Sequence, residues 1–527
     1  MTWVISFLGA CFMLTVSYAF YNAFLHPLRR YPGPLLWRAF RFPYVISVHK
    51  GDIHRRLNTY HNKYGPVVRI APDELSYSHG AAWKDIYSSR PNHLPLPRNP
   101  TWFKKMSPDE PDSIMGYNEQ SHARFRRAFA NSFSEKNLLE QAPVIESYVD
   151  AFMAKLKSMD TVDLNQWLNF LTFDISGDLS FGESFDCIKN GKAHPWVEIA
   201  QDFGKGLAFI SSINQYPPFH KLLRYIIPKN IMQRTLDHRS MSAEKAQKRL
   251  ALEIDRPDFV TPAKKFGDQK NAISDKEWEI NMSILVFAGS ETAASALTGI
   301  VRQLVQNLGV MVRLTQELRD AFIVEKDISI ASTARLPYLN AVISEGLRLC
   351  PPVAIGVPRV VPPGGSTILS QYVPAGTYVA FNQFSAFRQS SNFRSPNSFL
   401  PERFLHPEDG DDVSAFQPFG IGRHSCIGVK VAWAVMRVSL ARLVWEFHVR
   451  LADEGDNWDW GSQDTYIFWV SDGVRWNGAC ARTDLHIGEE TFERDPESGI
   501  IKKLDFRGFG YTFPPHRRKR HRYWIRG

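Results

Sequence analysis

Pro418-Phe419-Gly420-Ile421-Gly422-Arg423-His424-Ser425-Cys426-Ile427-Gly428 runs directly into Val429 to Phe447, where apolar side chains occupy nearly every face. A helix of that composition must be buried, and Lys430, Arg437, Arg442 and Glu446 leave it only a narrow solvent edge. Gly420 and Gly422 let the backbone wrap tightly around the cysteine, and Gly428 withholds a side chain where the helix passes a flat partner. A sulfur at a helix entrance gains from the terminal dipole and from free N–H groups, which favour the thiolate. An isolated cysteine is usually a buried structural residue; the glycine-rich setting is what argues for a ligand here. A dinucleotide loop is excluded, because the third glycine position of G-x-G-x-x-G is Ser425.

Outward from this loop, 527 residues with 44% apolar and 22% charged side chains predict a folded enzyme-sized body. The net charge of +9 does not indicate a nucleic-acid partner. Arg517, Arg518, Lys519, Arg520, Arg522 and Arg526 supply much of it, and no basic stripe interleaved with aromatics runs through the main body. Cys11, Cys187, Cys350, Cys426 and Cys480 are odd in number and form no CxxC pair, which fits a reducing compartment.

From Met1 to Leu28 there is no Lys, Arg, Asp or Glu, and Trp3 through Phe24 is long enough to span a bilayer as a helix. With no basic n-region, and with Arg29 and Arg30 directly after it, residues 1–28 read as a retained signal anchor that leaves the body in the cytosol. Tyr31-Pro32-Gly33-Pro34 reads as a hinge between anchor and body. Further on, apolar residues at three- and four-residue spacing predict helices over 165–179, 230–251, 274–306, 310–321 and 336–349. Short strands are expected at 67–70 and 378–381. The expected class is mainly α with small β-sheets: one large domain over 29–470, then an atypical polar tail, 471–527, read as solvated and disordered.

Ser274-Asp275-Lys276-Glu277 is a capping box opening the long helix that carries Ala288-Gly289-Ser290-Glu291-Thr292. Thr292 lies one turn after Ala288 on the same face, and Gly289 leaves room for something to lie against the backbone. Glu345 and Arg348, three apart, can pair on one helix face, and His122 and Arg126 are four apart on another.

The cysteine loop resembles the haem-binding signature F-x-x-G-x-R-x-C-x-G of cytochromes P450 at Phe419, Gly422, Cys426 and Gly428. His424 stands at the signature's arginine, with Arg423 one place earlier. Ala288 to Thr292 resembles the family's A-G-x-E/D-T, Glu345 and Arg348 its E-x-x-R, and Pro401-Glu402-Arg403-Phe404 its P-E-R-F. The resemblance implies a cytochrome P450 fold with haem b, Cys426 as iron ligand, and Glu291 and Thr292 relaying protons to oxygen. It assigns the propionates to His122, Arg126, Arg359 and one of His424 or Arg423, and implies a buried Glu345, Arg348 and Arg403 network. Phe287, Ala288, Val353, Ala354 and Ile355 are expected to line the substrate pocket.

Longer stretches are similar to filamentous-fungal monooxygenases of secondary metabolism. They imply electrons from NADPH through a cytochrome P450 reductase, cytochrome b5 as a further partner, an apolar terpenoid or polyketide substrate, and an endoplasmic-reticulum membrane location. Two rival readings are an oxygen-independent haem-thiolate isomerase or dehydratase and a non-catalytic haem-binding protein.

Overall fold

A computed structural model describes residues 2–451 apart from 92, 106–109, 160, 202, 217–228, 267–271 and 408–409, and then residues 459–466, 468–469 and 484–489. The elements that position the site are helices α1 (Thr2–Phe20), α2 (Leu35–Ala39), α3 (Phe42–His49), α4 (Glu119–Ala130), α5 (Leu164–Phe181), α6 (Asp275–Gln306), α7 (Pro337–Leu349) and α8 (Val429–Glu446). The expected mainly helical class holds, and the periodic segments form helices to within a few residues of the expected bounds.

Local chemistry sets these ends. Asp163 caps α5 by accepting from Gln166 N–H, and Gly182, at φ 75°, closes it in the left-handed region. In α6, Ser274 and Glu277 form the expected reciprocal box. Pro337 opens α7, where the Glu317 carboxylate accepts from the free N–H groups of Tyr338 and Leu339. The main core gathers α5, α6, α7 and α8 in one cluster of buried apolar side chains. Helices α5 and α6 pack closely enough for Ser290 Oγ to lie 3.2 Å from Thr172 O.

Small residues permit the tightest of these approaches. A Cβ at Gly346 of α7 would lie 2.3 Å from Ile300 Cγ1 of α6. Gly346→Ala is therefore expected to cost about 1–3 kcal/mol of overpacking, more than the roughly 1 kcal/mol alanine gains in helix propensity. A lowered thermal midpoint with unchanged secondary structure is the expected reading; an unchanged or raised midpoint would contradict this packing.

The strands named here are β1 (Val67–Ala71), β2 (Glu74–Tyr77), β3 (Thr161–Asp163), β4 (Arg359–Val360), β5 (Ser366–Ile368), β6 (Gln371–Val373), β7 (Tyr378–Phe381), β8 (Phe447–Leu451) and β9 (Asp484–Glu489), beside a short pair formed by Thr465–Tyr466 and Phe468–Trp469. The first sheet runs β1-β2-β7-β4, with β2 and β7 parallel and the other pairs antiparallel. It buries its own cluster, which includes Leu28, Tyr31, Leu75 and Phe381.

Two expectations change. Strand β9, inside the segment set apart as a tail, pairs with both β8 and β3, so the pairing of the main body does not stop at 470. Its Leu485 and Ile487 alternate with polar residues, the period of a half-buried strand. Residue 470 and the rest of 471–527, including Cys480 and the basic run 516–522, lie outside the described residues. Tyr31-Pro-Gly-Pro is also no free hinge. Arg69 N–H donates to Pro32 O at 2.7 Å, Tyr31 Oη donates to Tyr372 O at 3.0 Å, and a Cβ at Gly33 would strike Arg69 O at 2.2 Å.

Candidate functional site

The cysteine loop is held by its own backbone. Cys426 N–H donates to Phe419 O at 2.8 Å, and Ser425 N–H to Gly422 O at 3.1 Å. Gly422 is required twice over: its φ is 75°, and a Cβ there would lie 2.1 Å from Tyr87 O. Gly428 is different, since a Cβ would meet only Phe133 Cε1 at an ordinary 3.8 Å, so packing within the protein does not call for glycine there. Cys426 lies deep in the protein, yet its surface is accessible, which places the thiol on an internal opening rather than in packed core.

Burial pushes the Cys426 thiol up from its ordinary range, while the Gly428 N–H and the Arg126 charge pull it down. The helix entrance therefore does not ionise the sulfur unaided, contrary to the expectation from its position. A bound metal cation is what deprotonates such a ligand outright.

Around this loop a group of cations converges. Arg126, on α4, donates to Ser425 O at 2.8 Å. His122, one turn earlier, is buried, and its ring centroid is 4.3 Å from that of His424. Arg359, on β4, is 3% exposed, and its Nε and Nη1 have no partner in the protein. Arg98 bridges to it backbone to backbone and leaves its own Nε without a partner. Burial and the Arg359 charge lower Arg98 to about 9, and burial with the charges of Arg98, His424 and Arg126 lowers His122 to about 3.

Glu119, the first residue of α4, faces these cations. Burial opposes its ionisation, but His424 and Arg423 hold it down, to about 2. Burial itself lowers His424 to about 4, so the full positive charge beside Glu119 at pH 7 is that of Arg423, 3.1 Å away. His424 Nε2 lies 3.3 Å from the same carboxylate, outside hydrogen-bond geometry.

Donor atoms of Glu119, His122 and His424 lie within 4.8 Å of one another, close enough in principle for a metal ion. Arg98, Arg126, Arg359 and Arg423 around them set a positive field that repels a cation and attracts an anion. Orphaned buried guanidinium N–H groups beside a cysteine loop fit an anionic cofactor with carboxylate arms, as haem is. Arg98 and Glu119 escaped the sequence reading. An arginine between prolines in Pro97-Arg98-Asn99-Pro100, and an acid three residues before His122, were the available signals.

On α6, most residues are buried, but Ala288 and Gly289 are exposed and Thr292 is half-exposed in mid-helix, which marks a cavity face. Thr292 Oγ1 donates to Ala288 O at 2.7 Å, the back-bond that loosens a helix locally. Gly289 does not simply make room for a small ligand: a Cβ there would meet Ser176 Oγ of α5 at 2.9 Å. Glu291 points elsewhere, about 100° around the helix from Thr292. It is buried, its Oε1 has no partner, and burial raises it to about 7.

Of the expected pocket residues, Phe287 and Val353 are half-buried and Ala288 exposed, but Ala354 is 0% and Ile355 4% exposed. Ala354 is packed in the main core and Ile355 in the cluster with Trp37 and Trp102, so neither presents surface to a cavity.

The structural network is complete. Arg348 Nε and an Nη donate to Glu345 at 2.7 and 2.8 Å, and Arg403 Nε donates to it at 3.2 Å, all three side chains being fully buried. Arg348 also donates to the backbone of Phe387, Pro396 and Ser398, and Arg403 to Asp411 and Arg394 O. Phe404, next to Arg403, contacts Phe416 at 4.8 Å between ring centroids, which carries the bracing to the start of the cysteine loop.

The family model described as Cytochrome P450 matches residues 28–469. A cytochrome P450 monooxygenase of Aspergillus oryzae is 40% identical, over 85% of this chain and 91% of its own length. The trichothecene C-15 hydroxylase of Fusarium sporotrichioides is 37% identical, over 85% and 92%. The averantin hydroxylase of Dothistroma septosporum is 39% identical, over 88% of each.

Proposed function

The chain belongs to the cytochrome P450 family, a family of oxidoreductases, and from that premise we propose that it is a haem-thiolate monooxygenase inserting one atom of O2 into an apolar fungal metabolite of terpenoid or polyketide type. The supporting observation is an accessible cysteine deep in a helical core, beside which buried Arg98 and Arg359 leave guanidinium N–H groups without partners. Hydroxylases of trichothecene and averantin among the relatives support the substrate class. Electrons come from NADPH through a cytochrome P450 reductase, with cytochrome b5 as a further donor, at the endoplasmic-reticulum membrane. Neither the isomerase or dehydratase reading nor the non-catalytic one is favoured, since a hydroxyl-bearing Thr292 stands on the cavity face of α6.

Cys426 would hold the iron of haem b; when bound, the haem supplies the oxygen-activating redox chemistry that no side chain provides. Arg98, His122, Arg126, Arg359 and His424 hold its carboxylates, and Glu119 keeps Arg423 turned away from them. Phe419, Gly422 and Gly428 would shape the loop that presents Cys426 to it. Phe287, Ala288 and Val353 bound the substrate pocket. Thr292 presents its hydroxyl to the cavity, and Glu291 holds and releases a proton from its buried carboxyl near neutral pH.

That last role has a pH signature. The folded protein keeps the Glu291 proton up to about pH 7, whereas the unfolded chain releases it at an ordinary carboxylate value. Its contribution to stability is thus fully present below the ordinary carboxylate value of 4.5 and is lost progressively as pH rises from there to about 7. Glu291→Gln is expected to flatten the stability profile between pH 4.5 and about 7 and to flatten an inflection in turnover near pH 7. An unaltered turnover inflection in the variant would remove Glu291 from the relay.

The monooxygenase reading is tested by screening candidate metabolites for a substrate-induced haem spectral shift and following NADPH consumption with a competent reductase. Coupled consumption and an oxygenated product are expected. Bound candidates that never consume NADPH would overturn it.

A further inference from the structure

Tyr87 closes the short helix Ala82–Tyr87, and segments distant in sequence meet on it. Its hydroxyl donates to Val357 O at 3.0 Å and accepts from Phe381 N–H at 3.1 Å, which joins the segment before β4 to the end of β7. Its own carbonyl lies against the cysteine loop, since a Cβ at Gly422 would come within 2.1 Å of that oxygen. Trp83, one turn earlier, packs against both Tyr87 and Phe381, with ring centroids 5.0 and 4.3 Å away, and donates to Ala415 O at 2.9 Å. Backbone and hydroxyl are both held, so the plane of the Tyr87 ring is set.

Over that ring lies the guanidinium of Arg359, with Cζ 5.2 Å from the ring centroid. A cation within about 6 Å of an aromatic face is drawn to it, most strongly where water is excluded. Arg359 meets that condition, being 3% exposed. Burial pushes the Tyr87 phenol up from its ordinary value, so the ring is uncharged at neutral pH and attracts the cation through its π face.

The other arginines of the group are held by oxygen. Arg98 donates to Ile114 O at 2.9 Å and to Gly116 O at 2.8 Å, Arg126 to Ser425 O, and Arg423 to Glu119. The Arg359 guanidinium makes no hydrogen bond among the described residues, and its buried Nε and Nη1 are without partners. An arginine with no acceptor would sample many rotamers, and an anion that bound it would bear the cost of ordering it. Against the Tyr87 face that ordering is already done, and the N–H groups stay available to an incoming ligand.

We infer that Tyr87 is the positioning residue for Arg359: its ring face holds the guanidinium in the orientation from which it takes a haem carboxylate, while its hydroxyl and carbonyl tie that orientation to β7 and to the cysteine loop. Tyr87 acts through Arg359. The inference rests on reading Arg359 as a carboxylate partner of haem.

The test is the rate of haem loss from the holoenzyme to excess apomyoglobin at a fixed temperature, a readout independent of turnover. Tyr87→Phe is the reference, because it removes the hydroxyl bonds and keeps the ring. A ring-fluorinated phenylalanine at the same position keeps the shape but lacks the electron-rich face, and it should lose haem roughly fivefold faster than Tyr87→Phe. Should Tyr87→Phe not fold, fluorinated tyrosine against the parent makes the same comparison with the hydroxyl kept. Arg359→Met alone should shed haem faster than the parent, and in that background fluorination at position 87 should make no difference. Equal rates with Arg359 in place would reduce the ring to packing and overturn the inference. A fluorination effect that persists undiminished without Arg359 would also overturn it, because the ring would then act on something else. Haem retained by Arg359→Met as long as by the parent would overturn the assignment of Arg359 to a carboxylate, and this inference with it.

Discussion

Cys426→Ser is expected to lower NADPH-supported turnover by roughly a thousandfold or more, equivalent to about 4 kcal/mol of barrier, while the fold persists. Serine keeps the size of the side chain and the Cys426 N–H to Phe419 O bond, so the loop has no steric reason to open. What is lost is the soft, electron-rich sulfur, whose donation favours cleavage of the O–O bond. The same substitution separates two proposed roles of the site, because the cations grouped around the loop are untouched by it. Product formation and haem content measured on one preparation decide the matter. A haem-loaded variant within tenfold of the parent rate would mean that Cys426 is only a packing residue.

Glu345→Ala carries the largest expected loss of stability. It leaves Arg348 and Arg403 with guanidinium groups that are fully buried and stripped of their shared carboxylate. Breaking a buried ion pair from one side costs about 3–5 kcal/mol, against a total stability of roughly 5–15 kcal/mol. Leu400 N–H also loses its acceptor, at 2.8 Å in the parent. Because a protein of this size often unfolds irreversibly, the quantity to follow is the half-life of bound haem at a fixed temperature. It should fall by at least tenfold for Glu345→Ala and by less for Glu345→Gln, which keeps two acceptor or donor positions. Equal half-lives in parent and alanine variant would show that the cysteine loop does not depend on this brace.

Much of this was legible in the chain because it is set by local rules. The capping box at Ser274, the proline opening of α7, the glycine at 182 and the three- and four-residue periodicities all act within a few residues. The cysteine loop and the Glu345 and Arg348 pair were legible for the same reason. What escaped depends on residues brought together from afar. Arg98 joins the cation group through its bridge to Arg359 and its N–H to Glu119, and Glu119 matters because Arg98, Arg423 and His424 fold onto it.

The misplaced expectations share that origin. Gly289 looks like room for a small ligand until α5 brings Ser176 against it. Ala354 and Ile355 sit in sequence beside Val353, yet the backbone turns them into two different packed clusters. Tyr31-Pro-Gly-Pro has the composition of a hinge, but tertiary bonds from Arg69 and to Tyr372 fix it. Strand β9 was hidden by polar surroundings, although Leu485 and Ile487 alternate in the sequence with His486 and Gly488.

The central claim is that the Cys426 sulfur holds an iron porphyrin as a thiolate, and one spectrum of the unaltered, fully haem-loaded chain addresses it. Reduced and exposed to carbon monoxide, the protein should show the red-displaced Soret absorption that only thiolate ligation gives. A Soret band at the position typical of imidazole ligation, from folded protein with its haem in place, would contradict the account.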